Sequence, residues 1–89
     1  MTKFNFQEQL DNNNIVEEEH STLFGAGQVK IEFKETDYMI SCVRGGEYTH
    51  DELGWEVWDY GMGDPISMST DDINIFVNEQ MKERKLTLK

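Results

Sequence analysis

Val29-Lys30-Ile31-Glu32-Phe33-Lys34 decides the fold class. Apolar and charged residues alternate strictly along it, the signature of a strand with one buried and one solvated face. Thr36-Asp37 then supplies a tight turn, and Tyr38-Met39-Ile40-Ser41-Cys42-Val43 reads as a second strand antiparallel to the first. In that pairing Tyr38, Ile40 and Cys42 face the same core as Ile31 and Phe33, with Met39 and Val43 on the opposite face. Gly45-Gly46 ends the second strand.

Further along, Trp55-Glu56-Val57-Trp58-Asp59-Tyr60 reads as a third, aromatic-rich strand. Its alternation places Trp55 and Val57 on one face and Glu56, Trp58 and Tyr60 on the other. Between the second and third strands, Thr49-His50-Asp51-Glu52 has the spacing of a capping box and predicts a single helical turn before Gly54. Gly61, Gly63, Asp64 and Pro65 read as a loop. The spacing of Ile73, Phe76, Val77, Gln80 and Met81 predicts a helix over about residues 70–84 with one buried face. Ser69 or Thr70 caps it, Asp71 and Asp72 suit its positive end, and Lys82, Arg84 and Lys85 suit its negative end.

Upstream, Phe4, Gln7 and Leu10 have helical spacing and predict a short N-terminal helix over 4–11, stopped by Asn12-Asn13-Asn14. Residues 15–24 are ambiguous: their β-branched ends favour a strand and Glu17-Glu18-Glu19 oppose it. Gly25-Ala26-Gly27 is a break. The tail Leu86-Thr87-Leu88-Lys89 reads either as frayed or as a short edge strand. The expected architecture is α+β: a three- or four-stranded antiparallel meander with the C-terminal helix on one face, packed on Val29, Ile31, Phe33, Ile40, Trp55 and Val57. The second face is left to Phe4, Phe6 and Leu10, or to a partner.

All 89 residues fit a single small domain, and 37% apolar content with ten aromatics predicts a folded chain with a modest core. The single cysteine, Cys42, allows neither an intramolecular disulfide nor a cysteine zinc site. A reducing, cytoplasmic setting is expected, since neither a membrane-length apolar run nor an apolar leader is present.

Charge carries the functional reading. The formal net charge is −10, from 18 acids against 8 lysines and arginines. From Gly45 to Met81 there are nine carboxylates and no lysine or arginine. Uncompensated carboxylates repel one another, and a basic partner relieves that repulsion. Direct binding to nucleic acid or to an anionic membrane is disfavoured, because both demand positive charge. Carboxylates at strand spacing resemble backbone phosphates, so a basic groove shaped for DNA or RNA would accept them. Glu47, Asp51, Glu52, Glu56, Asp59, Asp64, Asp71 and Asp72 are the candidate phosphate mimics, and Trp58 and Tyr60 the candidate anchors.

Catalysis finds little support. A Cys42 nucleophile with His20 or His50 as base is conceivable, but a mid-strand cysteine behaves as a small buried hydrophobe. No phosphate loop, nucleophile elbow or dinucleotide fingerprint occurs. Asp59, Asp64, Asp71 and Asp72 could be considered for calcium, yet their spacing does not match a calcium loop. No cofactor or metal is expected.

In size, acidity and layout the whole chain is similar to small phage-encoded inhibitors, notably anti-CRISPR proteins that mimic DNA and block a Cas nuclease. It is also similar in character to acidic immunity proteins that neutralise nuclease toxins. The resemblance implies a non-enzymatic inhibitor occupying the nucleic-acid site of a basic partner protein. The alternative is a small interaction or regulatory module, dimeric through the Trp58 face or a strand edge, whose acidity serves solubility.

Overall fold

The computed structural model of the chain describes residues 3–19, 27–44, 54–60 and 62–89. Helix α1 (Phe6–Asp11) is followed by strands β1 (Glu17–Glu19), β2 (Gly27–Glu32), β3 (Met39–Arg44), β4 (Trp55–Asp59) and β5 (Met62–Met68), then helix α2 (Thr70–Arg84). The strands form one antiparallel sheet in the order β1-β2-β3-β4-β5. This is the α+β meander the sequence predicts, with five strands rather than three or four. The capping-box turn at 49–52 lies outside the described residues.

The two additional strands are the ones whose residues argue against them. β1 consists of three glutamates, yet Glu17 pairs with Val29 and Glu18 with Gln28. β5 contains Gly63-Asp64-Pro65, which the sequence reads as loop. Its register explains how they fit. Val57 lies opposite Ile66, while Asp59 lies opposite Met62. Gly63, Asp64 and Pro65 therefore all sit against Trp58 in a bulge, and Gly63 supplies the turn at φ 74. An edge bulge is also where a proline, lacking an N–H, does least damage to a ladder. Strand propensity is a weak prior, and pairing with a committed neighbour overrides it.

The core follows the register. Val29, Cys42 and Val57 line up across β2, β3 and β4, with Ile31 beside Ile40 in the adjacent row. These side chains, with Trp55, Phe33 and Tyr38, form a buried cluster with Ile73 and Val77 of α2. Ser69 caps α2, its Oγ accepting from the Asp72 N–H at 3.2 Å. Lys85, at φ 55, ends it with its N–H bonded to the Met81 carbonyl. The predicted helix bounds are those observed. The tail returns to β2, where Phe33 bridges Leu88 and the Lys34 N–H donates to the Thr87 carbonyl at 2.8 Å.

The N-terminal segment corrects one expectation. Phe4 and Phe6 do not cover the second face of the sheet; both are buried in the core cluster beside α2. Two asparagines of α2 hold them there. Asn78 Oδ1 accepts from the Phe4 N–H and Asn78 Nδ2 donates to the Phe4 carbonyl, both at 2.9 Å. Asn74 Oδ1 accepts from the Phe6 N–H at 2.6 Å. Phe6 then meets Trp55 edge to face, with ring centroids 4.9 Å apart. Asn5 caps α1 through its bond to the Glu8 N–H.

Candidate functional site

The sheet face away from α2 carries two cross-strand rows. One runs Glu18, Gln28, Val43, Glu56, Ser67; the other runs Lys30, Ser41, Trp58. Among the described residues neither helix lies on this face. Val43 and Ser41 are nonetheless buried, while Glu56 and Trp58 are half-buried beside them. Glu56 and Trp58 therefore share the face assigned to them from sequence.

Asp59 and Tyr60 depart from it. Asp59 alternates back to the core side, opposite Ile40, and accepts a short hydrogen bond from the Tyr38 hydroxyl. Tyr60 does not continue the strand. It sits at φ 58, and its ring packs against Tyr38 at 5.6 Å rather than beside Trp58. The turn at Tyr60 breaks the two-residue alternation on which its facing was based.

Tyr38 organises this end of the sheet. Phe33 stacks on it at 5.7 Å, and the Arg84 guanidinium lies 4.1 Å from its ring centroid. Arg84 Nε donates to Gln80 Oε1 at 3.1 Å, which fixes the guanidinium over the ring. Burial first, and the bond to Asp59 second, raise the Tyr38 pKa well above the ordinary tyrosine value, with Arg84 opposing. The hydroxyl is thus a proton donor to Asp59 across the physiological range.

The remaining candidates divide. Asp64 is exposed in the β5 bulge, against Trp58. Asp71 and Asp72 are exposed in the first turn of α2, where they complement the helix dipole. That turn lies at the Trp55 end of the sheet, because Met68 pairs with Trp55. Arg84, thirteen residues further along α2, is at the Tyr38 end, so the two ends are about 20 Å apart at 1.5 Å per residue. Glu47, Asp51 and Glu52 lie outside the described residues. Among the described residues the expected acidic positions therefore concentrate on the β4–β5 hairpin but not on one face of it, since Glu56 and Trp58 lie on one side and Asp59 on the other. Glu56, Trp58, Asp59, Tyr60 and Asp64 belong to the hairpin, while Asp71 and Asp72 stand at the far end on the helix side.

The described ion pairs leave this hairpin free. Arg44 engages Glu17 through two bonds of 2.5 and 2.7 Å, and Lys89 lies 3.3 Å from Glu32. Gly27 pairs with Glu19 on one side and Arg44 on the other, and a Cβ there would collide with the Glu17 carboxylate that reaches across to Arg44. Arg44 also lies over the Trp55 ring at 4.9 Å. Both pairs are solvent-exposed and contribute little to stability. No group of three or more histidine, cysteine, aspartate or glutamate side chains suited to a metal ion occurs among the described residues. No helix of the described residues is long and apolar enough to cross a membrane.

Cys42 is fully buried in the core, and burial pushes its thiol from 9.0 up to about 12. His20 and His50 lie outside the described residues. Between those two pKa values the unfolded chain releases the thiol proton and the folded chain keeps it. Unfolding is then favoured as pH rises through the window, and the full contribution is present below 9.0. We expect urea stability to fall above pH 9 with a Cys42 share of about 1 kcal/mol per pH unit. Cys42→Val should remove that share and leave the part due to Tyr38. Equal alkaline slopes in the two proteins would mean that Cys42 is solvated.

The contact between Tyr38 and Arg84 escapes the sequence reading because nothing local links the two residues; only packing of the helix end against the β2–β3 hairpin does. Asn74 and Asn78 leave a trace, since two poor helix formers four residues apart flank the buried stripe of α2. Comparison with family models, with curated proteins and with solved structures finds no match to this chain.

Proposed function

We propose that the protein is a non-enzymatic acidic inhibitor that inserts its β4–β5 hairpin into the basic nucleic-acid site of a partner protein. The hairpin carries this reading. It forms the outer part of the sheet, contains no lysine or arginine, and has no carboxylate in any of the described ion pairs. Glu56 and Asp64 flank the half-buried Trp58, so charge surrounds an aromatic that can lose its remaining water on contact. Electrostatic steering would make association fast and salt-sensitive. A nucleic-acid-processing enzyme such as a Cas nuclease is the kind of partner that the likeness to anti-CRISPR proteins implies.

Self-association through a strand edge is the less favoured reading. One edge, β1, is three glutamates, and the other, β5, is interrupted by the Gly63-Asp64-Pro65 bulge. Like charges and bulged prolines are devices that discourage edge pairing.

The test separates position from total charge. Glu56→Lys/Asp64→Lys and Glu79→Lys/Glu83→Lys change the net charge equally, the second pair on exposed positions of α2. Each protein is immobilised, exposed to cell lysate at low salt, and eluted with short duplex DNA at constant ionic strength. The wild type and the helix variant should release DNA-binding proteins. The hairpin variant should retain about a tenth or less of that material. Equal capture by both variants, or no release by DNA, overturns the proposal.

A further inference from the structure

The chain enters α1 as an extended peptide laid against α2. Lys3 and Asn5 are exposed, Phe4 and Phe6 are buried, and Asn5 holds φ −131 and ψ 115. Two residues of extended chain span about 6.6 Å, and one turn of helix rises about 6 Å. The Phe4 and Phe6 amides therefore meet Asn78 and Asn74, one turn apart on α2, in matching register. Asn78 satisfies both the N–H and the carbonyl of Phe4. A side-chain amide placed in this way reads main chain, whatever the sequence. The sequence is read by the buried places of the two rings, Phe6 against Trp55 of β4. Main-chain bonds for affinity and alternate side chains for specificity are the terms on which proteins recognise extended peptides.

Little else holds the segment. Among the described hydrogen bonds, those to Asn74 and Asn78 alone tie residues 3–14 to the rest of the fold. The N–H groups of Asn12, Asn13 and Asn14 all return to carbonyls of α1. An open cleft of about 580 Å³ runs along the seam, between Lys3, Asn5 and Glu8 on one side and Asn74, Asn78 and Glu79 on the other. Water therefore reaches the clasp. Asn12-Asn13-Asn14 is the hinge, and Asn13 at φ 59 folds the segment back onto its own body.

We propose that the groove of α2 and β4 is a peptide site closed by the chain's own N-terminus, and that its partner is the N-terminal segment of a second copy. Reciprocal exchange gives a two-fold dimer in which each groove holds the other chain's Phe4 and Phe6. The occupant follows from the contacts, since every bond made within one chain is remade between two. No strand edge takes part, so the glutamates of β1 and the bulge of β5 do not oppose it. Exchange joins two chains of net charge −10, so added salt strengthens it.

Within one chain the segment meets its groove at an effective concentration of about a millimolar, so the wild type should sediment as a monomer at about 50 µM. Asn13→Pro cannot adopt the left-handed turn and leaves the segment and the groove unchanged. It should sediment as a dimer at the same concentration. Excess peptide of residues 1–12 should return it to monomers, and the same peptide with Phe4→Ala/Phe6→Ala should leave the dimer intact. A folded monomeric Asn13→Pro overturns the inference, as does a dimer indifferent to the native peptide. Should Asn13→Pro fail to fold, Asn5→Ala decides, because it keeps the turn and loosens only the α1 cap. The labelled peptide should bind that chain about threefold to tenfold more tightly than wild type, since more grooves stand open. No binding of the peptide to Asn5→Ala overturns the inference.

Discussion

Phe6→Ala is expected to lower the free energy of unfolding by about 3–5 kcal/mol. Phe6 is fully buried, and its ring is packed edge to face on Trp55. Truncation removes that ring from the junction of α1, α2 and β4 and leaves a cavity that the sheet cannot close. Helix α1 is only six residues long and has no independent stability. Its docking depends on the phenylalanines, so the loss includes most of the N-terminal segment. A domain of this size has about 5–13 kcal/mol in total, so the variant approaches the unfolding threshold. Urea denaturation followed by tryptophan fluorescence measures the shift. A loss below about 1.5 kcal/mol would show that α1 does not dock as described.

Asn78→Ala is expected to cost about 2–3 kcal/mol, a large effect for one polar side chain on a helix surface. Its amide makes a reciprocal pair with the Phe4 backbone and also donates to the Asn74 carbonyl at 2.7 Å. Alanine leaves a partly buried N–H and carbonyl of Phe4 without partners, which costs more than the bonds themselves contribute. Asn78→Asp should be no better. A carboxylate still accepts from the Phe4 N–H but faces two carbonyls that it cannot satisfy. Hydrogen exchange gives the local readout: the Phe4 and Phe6 amides should lose protection while β2 and β3 amides keep theirs relative to global stability. The double variant with Phe6→Ala should be less destabilised than the sum of the two, because both release the same segment. Strict additivity would contradict a shared docking role.

Legibility followed the range of the interactions. The β2–β3 hairpin was readable because strict alternation over Val29–Lys34 leaves one face to bury, and a slip of one residue would expose it. The bounds of α2 were readable because Ser69, Asp71, Asp72 and the terminal cations are local signals for local groups. β1 and β5 were not, because nothing in Glu17-Glu18-Glu19 or Gly63-Asp64-Pro65 favours a strand; β2 and β4 recruit them by offering unpaired backbone edges. The candidate site was legible as composition and illegible as shape. A lysine-free stretch is visible in the chain, but Asp59 facing Tyr38 and Asp71 lying about 20 Å from Arg84 depend on where the strand turns and how α2 runs back.

The amino-acid order by itself set the class of fold, the central hairpin, the length of the last helix and the excess of negative charge. Those properties depend on backbone periodicity, capping and the sum of ionised groups, all of which act within a few residues or need no geometry. Tertiary packing decided which edges became strands, which face the N-terminus covered and which carboxylates share a surface. Those outcomes arise between residues far apart in sequence, whose meeting is settled only when the apolar faces of sheet and helix are buried together.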